Sequence, residues 1–285
     1  MTSDEGGGAG EASGPAATGR PDWADGVDLS MPSVARAYDY ALGGAHNVAV
    51  DREFLRAFEA VVPQTRAAAR ANRAFLHRAV RLMVGEGIRQ FLDVGSGIPT
   101  VGNVHEIAQR SAPEARVVYV DVDPVAVAHS RLILAGNTQA TAIREDLRRP
   151  EAILGHSATR ALLDFGRPVG LILAAVLHAL QDQDDPYGIM TRLRDALCPG
   201  SYVAISHITA DSSPEEQVRG IERVANQAPT PGAQRTRAEI MRFFTGLDLV
   251  EPGVVWTSQW RPDSPKDVGD HPERLIIYAG VGRKG

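Results

Sequence analysis

From residue 89 onward, short apolar runs alternate with amphipathic stretches along the chain. The apolar runs at 90–94, 117–121, 140–144, 169–175 and 201–208 are rich in Val, Ile and Leu. Their length and their flanking Gly, Pro, Asn and Asp residues predict buried strands. Helical spacing follows at 104–110, 125–134, 151–154 and 188–197. Such alternation predicts right-handed βαβ units and a parallel sheet with helices on both faces. A polar, Pro-containing stretch at 209–234, with a short helix near 215–225, follows the fifth strand. There it lies at the carboxyl ends of the strands, where ligands bind in such sheets, and is expected to form a lid or substrate wall. A helix at 237–245 and strands at 249–256 and 275–281 close the chain; the polar link of 261–274 allows the two strands to pair antiparallel.

Upstream of residue 89 the pattern is helical. Ser33 can cap a short helix that ends at Gly43-Gly44. Those glycines are either a helix stop or the start of a loop, with Asn47, that folds back over a ligand. Phe54, Leu55, Phe58, Val61 and Val62 give 51–62 an apolar face, which Pro63 ends. The longest helix is expected at 64–85, with Ala67, Ala71, Phe75, Leu76, Ala79, Val80 and Met83 as its buried stripe. Its arginines, Arg66, Arg70, Arg73, Arg78 and Arg81, are expected on a solvated face. Residues 1–25, rich in Gly, Ala, Ser and Pro, are expected to be a disordered tail, with order beginning near Val27.

Composition narrows the class. The 285 residues, 44% hydrophobic and 23% charged, are ordinary for a globular α/β protein. A net charge of −5 argues against a nucleic-acid partner. Cys198 is the single cysteine, so no internal disulfide can form. The eight histidines lie apart, with no HExxH or CxxC spacing, so no metal is expected. The longest apolar run, 169–180, contains His178 and is too short to span a bilayer. Without a basic and then apolar start, no signal peptide is expected, and the default is a cytoplasmic enzyme or binding protein with no membrane partner.

The chemistry concentrates where the first strand runs into Asp93-Val94-Gly95-Ser96-Gly97-Ile98-Pro99-Thr100. Gly95 and Gly97 permit positive φ and remove Cβ atoms, so a ligand can approach the backbone. The helix that follows points its amides at that ligand. The second strand ends at Asp121, whose carboxylate can accept both ribose hydroxyls of a nucleoside bound over the turn. NAD needs Gly-x-Gly-x-x-Gly, and Pro99 and Thr100 stand where that motif continues. S-adenosylmethionine carries no phosphate, and its sites typically read Asp-x-Gly-x-Gly, the form of Asp93 to Gly97. Asp93 can reach the amino end of that ligand directly or through water. After the third strand, Asp146 can accept from the adenine amino group or cap the helix near Arg149. Val122 and Leu147 can sandwich the ring. Asp123 and Pro124 are explained by starting the next helix.

Together with these, other stretches make the match specific. They are Pro32 through Gly44, Ala69-Arg70-Ala71-Asn72-Arg73-Ala74-Phe75-Leu76, Val118-Tyr119-Val120-Asp121, Val176-Leu177-His178, Asp184-Asp185-Pro186-Tyr187, Ser206-His207, and Phe243-Phe244-Thr245-Gly246-Leu247. The chain resembles the actinobacterial S-adenosylmethionine-dependent methyltransferase family, once known only as a domain of unknown function. The resemblance runs from about residue 27 to 282. It implies an α/β fold of the class I methyltransferase, Rossmann-like type: seven strands, mostly parallel with the last antiparallel, helices on both faces, and an N-terminal helical cap. The division is then 1–25 tail, 26–88 cap, and 89–285 S-adenosylmethionine-binding domain with 209–234 as a lid-like insertion. Asp93, Gly95, Ser96, Gly97, Asp121, Val122, Asp146, Leu147 and Ala174 form the implied donor site. Tyr38, Gly43, Gly44 and Asn47 are tilted by the resemblance toward the ligand-covering loop. The product would be S-adenosyl-L-homocysteine. No acceptor is implied, and the high Ala, Arg and Gly content fits a GC-rich actinobacterial source.

Methyl transfer needs alignment first, and a general base only where the acceptor must lose a proton. His178 and His207, at the tips of the fourth and fifth strands, are the candidates. For each, the plain alternative is a histidine that fills the sheet edge. Asp184 and Tyr187 are placed to wall the pocket. No Asn-Pro-Pro-Tyr-type sequence follows the fourth strand, which points to a small-molecule acceptor with an oxygen nucleophile. Two other readings remain at this level: a non-catalytic S-adenosylmethionine sensor using 209–234 as a partner surface, and an NAD-dependent oxidoreductase.

Overall fold

The computed structural model describes residues 28–99 and 102–285. The expected tail, the onset of order near Val27, and Thr100 of the first turn lie outside those residues.

Three helices come first: α1 (Val34–Ala41), α2 (Ala49–Val61) and α3 (Thr65–Gly85). Ser33 caps α1, accepting from Arg36 N–H. The buried face of α3 departs from the predicted stripe in its first half. Ala68, Ala69 and Asn72 are buried there, while Ala67 and Ala71 are only partly covered. The arginines of α3 are not a uniform solvated face either. Arg78 is buried and donates to Trp260 O at 2.8 Å and Thr257 O at 2.7 Å. These two backbone carbonyls offset the desolvation of its guanidinium.

The alternating part gives β1 (Gln90–Val94), α4 (Val104–Ser111), β2 (Arg116–Asp121), α5 (Pro124–Ile133), β3 (Ala140–Arg144), α6 (Pro150–Gly155) and α7 (Ser157–Leu162). It continues with β4 (Gly170–Ala174), α8 (Pro186–Asp195), β5 (Tyr202–Ile208), α9 (Glu215–Ala225) and α10 (Arg237–Arg242). The chain ends with β6 (Asp248–Leu249), β7 (Val255–Trp256) and β8 (Ile277–Arg283). Helix α7 has no predicted counterpart; its six residues, Ser-Ala-Thr-Arg-Ala-Leu, are too few to carry a clear period.

The strands form one sheet in the order β3-β2-β1-β4-β5-β8-β6, with β7 also pairing β8. β1 to β5 are parallel to their neighbours, and β8 runs antiparallel beside β5. This is the mostly parallel, class I methyltransferase arrangement with its antiparallel last strand. The sheet counts eight strands because the expected strand at 249–256 is broken into β6 and β7. Pro252 has no N–H to donate, and Gly253 at φ +82° turns the chain out of the ladder. Every residue of β1 is buried. One face of the sheet packs Phe91, Val117 and Ile172 against Phe75, Met83 and Trp260; the other packs Leu92, Val118 and Leu171 against Ile153, Leu193 and Phe243. The strand order reverses between β1 and β4, so a ligand crevice is expected at their carboxyl ends.

Candidate active site

The crevice is there. A cavity of about 710 Å³ is lined by the residues that leave all five parallel strands, with α1, α2, α3 and the segment around α9 completing its walls.

At its polar end, Gly95 N–H and Ser96 N–H donate to Val120 O at 2.8 and 3.2 Å. Gly97 N–H donates to Asp121 Oδ2 at 2.7 Å, and Asp123 N–H to Asp121 Oδ1 at 2.9 Å. A carboxylate has about four acceptor positions, so Asp121 keeps capacity for further donors. Burial pushes its pKa up to about 6, with the amides of Asp123 and Gly97 holding it lower than burial alone would. Asp93 is buried more deeply and rises to about 7; Arg73 pulls it down and Asp121 pushes it up. The two glycines are needed for different reasons. Gly97, at φ +67°, faces open space. Gly95, at φ +72°, has no room for a side chain, because an added Cβ would stand 2.1 Å from Val176 Cγ2. Its missing Cβ admits the β4 tip, not the ligand.

Ser96, Val122, Asp146, Leu147 and Ala174 also line the cavity. Val122 is 52% exposed at its wall, and Leu147 is buried. Asp146 accepts from Arg148 N–H at 2.9 Å and pairs with the Arg148 guanidinium at 3.4 Å, so it shapes the turn; it does not cap α6, whose N-cap, Arg149, has no side-chain cap bond. Tyr38 lines the cavity, its hydroxyl donating to Ala69 O and accepting from Asn72 Nδ2, both at 3.1 Å.

Gly43, Gly44 and Asn47 do not reach the cavity. They wrap the buried Asp39, whose Oδ2 accepts from His46 N–H at 2.9 Å and from Asn47 Nδ2 at 3.0 Å. A Cβ on Gly44 would strike Asp39 Oδ1 at 2.0 Å. The glycine pair is therefore a helix stop built around a carboxylate, in place of the expected ligand-covering loop.

The two histidines part company. His178 lines the cavity, and burial together with Arg235 lowers its pKa to about 4, so it is neutral at ordinary pH. His207 has no exposure and does not line the cavity. Its Nδ1 sits 2.7 Å from Ile208 O and its Nε2 3.1 Å from Arg235 Nη1, so both nitrogens are occupied. The catalytic expectation for His207 is corrected: it supports the buried Arg235. Asp184 and Tyr187 do not wall the pocket either. Asp184 accepts from Gln181 N–H and pairs with Arg148, and Tyr187 stacks on Phe243 with centroids 4.7 Å apart.

The comparisons with known proteins decide the family. A family model described as S-adenosyl methyltransferase matches residues 21–285. The chain belongs to the S-adenosyl methyltransferase family. It is similar, at 41% identity over 90% of its length, to a candidate methyltransferase of Thermobifida fusca, covering 96% of that chain with a TM-score of 0.84. It is equally similar, at 41% identity over 90% of its length, to a DUF574 family protein of Streptomyces avermitilis, covering 99% of that chain with a TM-score of 0.86. No protein with a curated description matches it. Membership leaves the nicotinamide alternative without support.

In this methyltransferase the far end of the cavity is mainly apolar, walled by Phe54, Leu55 and Phe58 of α2 and by Ile208, Ile221 and Ile276. Polar residues of the cavity that sequence reasoning missed include Asn72 and Arg73 of α3, and Gln234. Arg73 was hidden in a run of arginines, and nothing local marks Gln234. Among the described residues, no cluster of His, Cys, Asp or Glu could hold a metal ion, and no helix is long and apolar enough to cross a membrane.

Proposed function

We propose that this protein transfers a methyl group from S-adenosylmethionine to an oxygen of a small, largely apolar acceptor. The observation that carries the reading is one continuous cavity with two unlike ends. One end gathers Asp93, Gly97, Asp121 and Arg73; the other is apolar and borders the neutral His178.

The residues present fit the donor. Asp121 retains acceptor positions for ribose hydroxyls beside the open face of Gly97. Asp93 is a buried carboxyl with a raised pKa, which a bound ammonium would return to its ionised form. Arg73, beside it in the cavity wall, suits the donor's carboxylate. Val122 and Leu147 offer apolar surface to an adenine ring, and Asp146 an acceptor for its amino group. When bound, the donor supplies an electrophilic methyl carbon on a sulfonium. The chain's part is to align the acceptor with it and exclude water. His178 is unprotonated and can take the acceptor's hydroxyl proton as the new carbon–oxygen bond forms. An alkylated hydroxyl is a strong acid, so a base with a pKa near 4 suffices. The helices of 26–88 serve as a cap and 209–234 as a lid over the acceptor end.

The test is incubation of the purified protein with methyl-labelled donor and a panel of natural-product phenols and carboxylic acids. Labelled O-methyl products are expected, and they should fall by about a hundredfold or more in His178→Phe. Calorimetric uptake of S-adenosylhomocysteine with no labelled product from the panel or from cell extract would replace this reading with the sensor. Transfer to protein or RNA alone would overturn the small-molecule assignment.

A further inference from the structure

His178 and Gln234 of the cavity wall carry buried polar atoms without a hydrogen-bond partner: Nδ1 of His178, and both Nε2 and Oε1 of Gln234. The backbone brings them together. Ala233 N–H donates to His178 O at 2.6 Å, and Arg235 N–H donates to Ile208 O at 3.4 Å, so Gln234 is pinned from both sides. Gly232 lies along the imidazole, since an added Cβ would be 3.6 Å from His178 Cδ2.

The surroundings make these unsatisfied atoms informative. Nearby polar side chains are already engaged: Tyr38 with Asn72, Asn72 with Ser206, and Thr65 with Val62 O. The neighbouring cation, Arg235, is turned to His207, Leu180 O and Asp182. The Arg235 guanidinium is thus not available to an anionic acceptor, and Phe58, Ile208, Ile221 and Ile276 give the cavity apolar surface. A buried amide with both ends unpaired is costly and rare in native proteins. A primary amide offers an acceptor and a donor side by side. Its complement is a group with a donor next to an acceptor.

We infer that Gln234, with His178, forms the subsite that reads the acceptor, and that it selects an uncharged, planar, apolar molecule bearing a hydroxyl next to a carbonyl oxygen. The inference rests on the methyl-transfer reading above. Gln234 Nε2 donates to the carbonyl oxygen and its Oε1 accepts from the hydroxyl in the resting complex; His178 beside it then takes that one proton as the carbon–oxygen bond forms. Discrimination follows because a ligand lacking the pair leaves the amide buried and unpaired, which such sites reject strongly.

The experiment is calorimetry on the full chain saturated with S-adenosylhomocysteine. The probes are 2-acetyl-1-naphthol, 2-acetylnaphthalene and the 1-hydroxy-2-naphthoate anion. The expected order has 2-acetyl-1-naphthol about tenfold or more tighter than either of the others. Gln234→Met should abolish the preference for the hydroxyl while leaving the affinity for S-adenosylhomocysteine as it was. A flat response to the three probes, no binding of any, a preference for the anion, or a preference that survives in Gln234→Met would each overturn the subsite. The comparison among probes on the unmutated chain stands even if the variant fails to fold. Failure to bind S-adenosylhomocysteine at all would instead remove the donor reading beneath it, so the two failures are distinguishable.

Discussion

In the proposed donor site, burial raises the pKa of two carboxyl groups. Asp93 rises to about 7 and Asp121 to about 6. Because these values lie above the free carboxyl value, protonation favours the unliganded fold. That contribution is complete below about pH 4 and is lost as the pH rises through 6 and 7. A cationic ligand needs the opposite state, with Asp93 ionised. Affinity for S-adenosylhomocysteine should therefore be greatest above pH ~7.5 and should weaken by about tenfold per pH unit below ~7. Calorimetric titrations across that range check this, and Asp93→Asn should flatten the profile while weakening binding at every pH. A profile that is unchanged by Asp93→Asn would remove the carboxyl from the site. These two residues were legible because each belongs to a local motif at a strand tip. Arg73 and Gln234 were not: an arginine on an arginine-rich helix, or a lone glutamine in a polar loop, gains meaning only from what the fold sets beside it. His178 and His207 show the same limit. Both were placed at strand tips by the sequence, but only packing could tell which imidazole faces the cavity and which is consumed by Arg235.

Elements were more legible than the contacts between them. Continuous apolar runs located β1 to β5 and period-3.6 patterning most helices, since a strand buried on both faces must be continuously apolar. It could not show why Gly95 is a glycine. The reason lies in β4: Ala175 turns at φ +55°, its N–H held by Ser206 Oγ at 2.9 Å, and this sends Val176 against the glycine. A residue in left-handed geometry at the mouth of a cavity is strain held in place by its partners. The double-mutant cycle tests this coupling. Gly95→Ala should destabilise the protein by about 3 kcal/mol or more, combining the clash with left-handed strain. Adding Val176→Gly should relieve the clash, since Val176 Cβ as well as Cγ2 lies within 3 Å of the added Cβ, but leave about 1–2 kcal/mol of strain. Denaturant unfolding of the two single variants and the double variant gives the coupling directly. Strict additivity would mean that the two side chains do not meet.

At the scale of the whole molecule, the N-terminal helices are tied to the donor end by a chain of buried polar bonds. Asp51 of α2 has no exposure. Its Oδ2 pairs with Arg36 Nε at 2.8 Å and accepts from Val48 N–H at 2.8 Å, while its Oδ1 accepts from Ser33 N–H at 2.9 Å. Ser33 Oγ in turn donates to Asp123 Oδ2 at 2.6 Å, and Asp123 N–H donates to Asp121. Nothing in the periodicity of 26–88 reveals this path, because it joins charged residues that a sequence reading assigns to solvent. It makes a claim about function at a distance: Asp51 does not line the cavity, yet it fixes the start of α1 against the Asp121 carboxylate at the cavity wall. Asp51→Ala should cost about 3–5 kcal/mol of stability by leaving Arg36 buried without its partner. It should also weaken binding of S-adenosylhomocysteine by several-fold at temperatures where the variant is still folded. Arg78→Met provides the comparison, since it removes buried bonds to Trp260 and Thr257 on the opposite side of α3's contacts. If Arg78→Met is destabilised by a like amount but binds normally while Asp51→Ala does not, the coupling runs through the Asp51–Ser33–Asp123 path. If both variants, once folded, bind the product equally well, the helices only shelter the cavity and do not tune it.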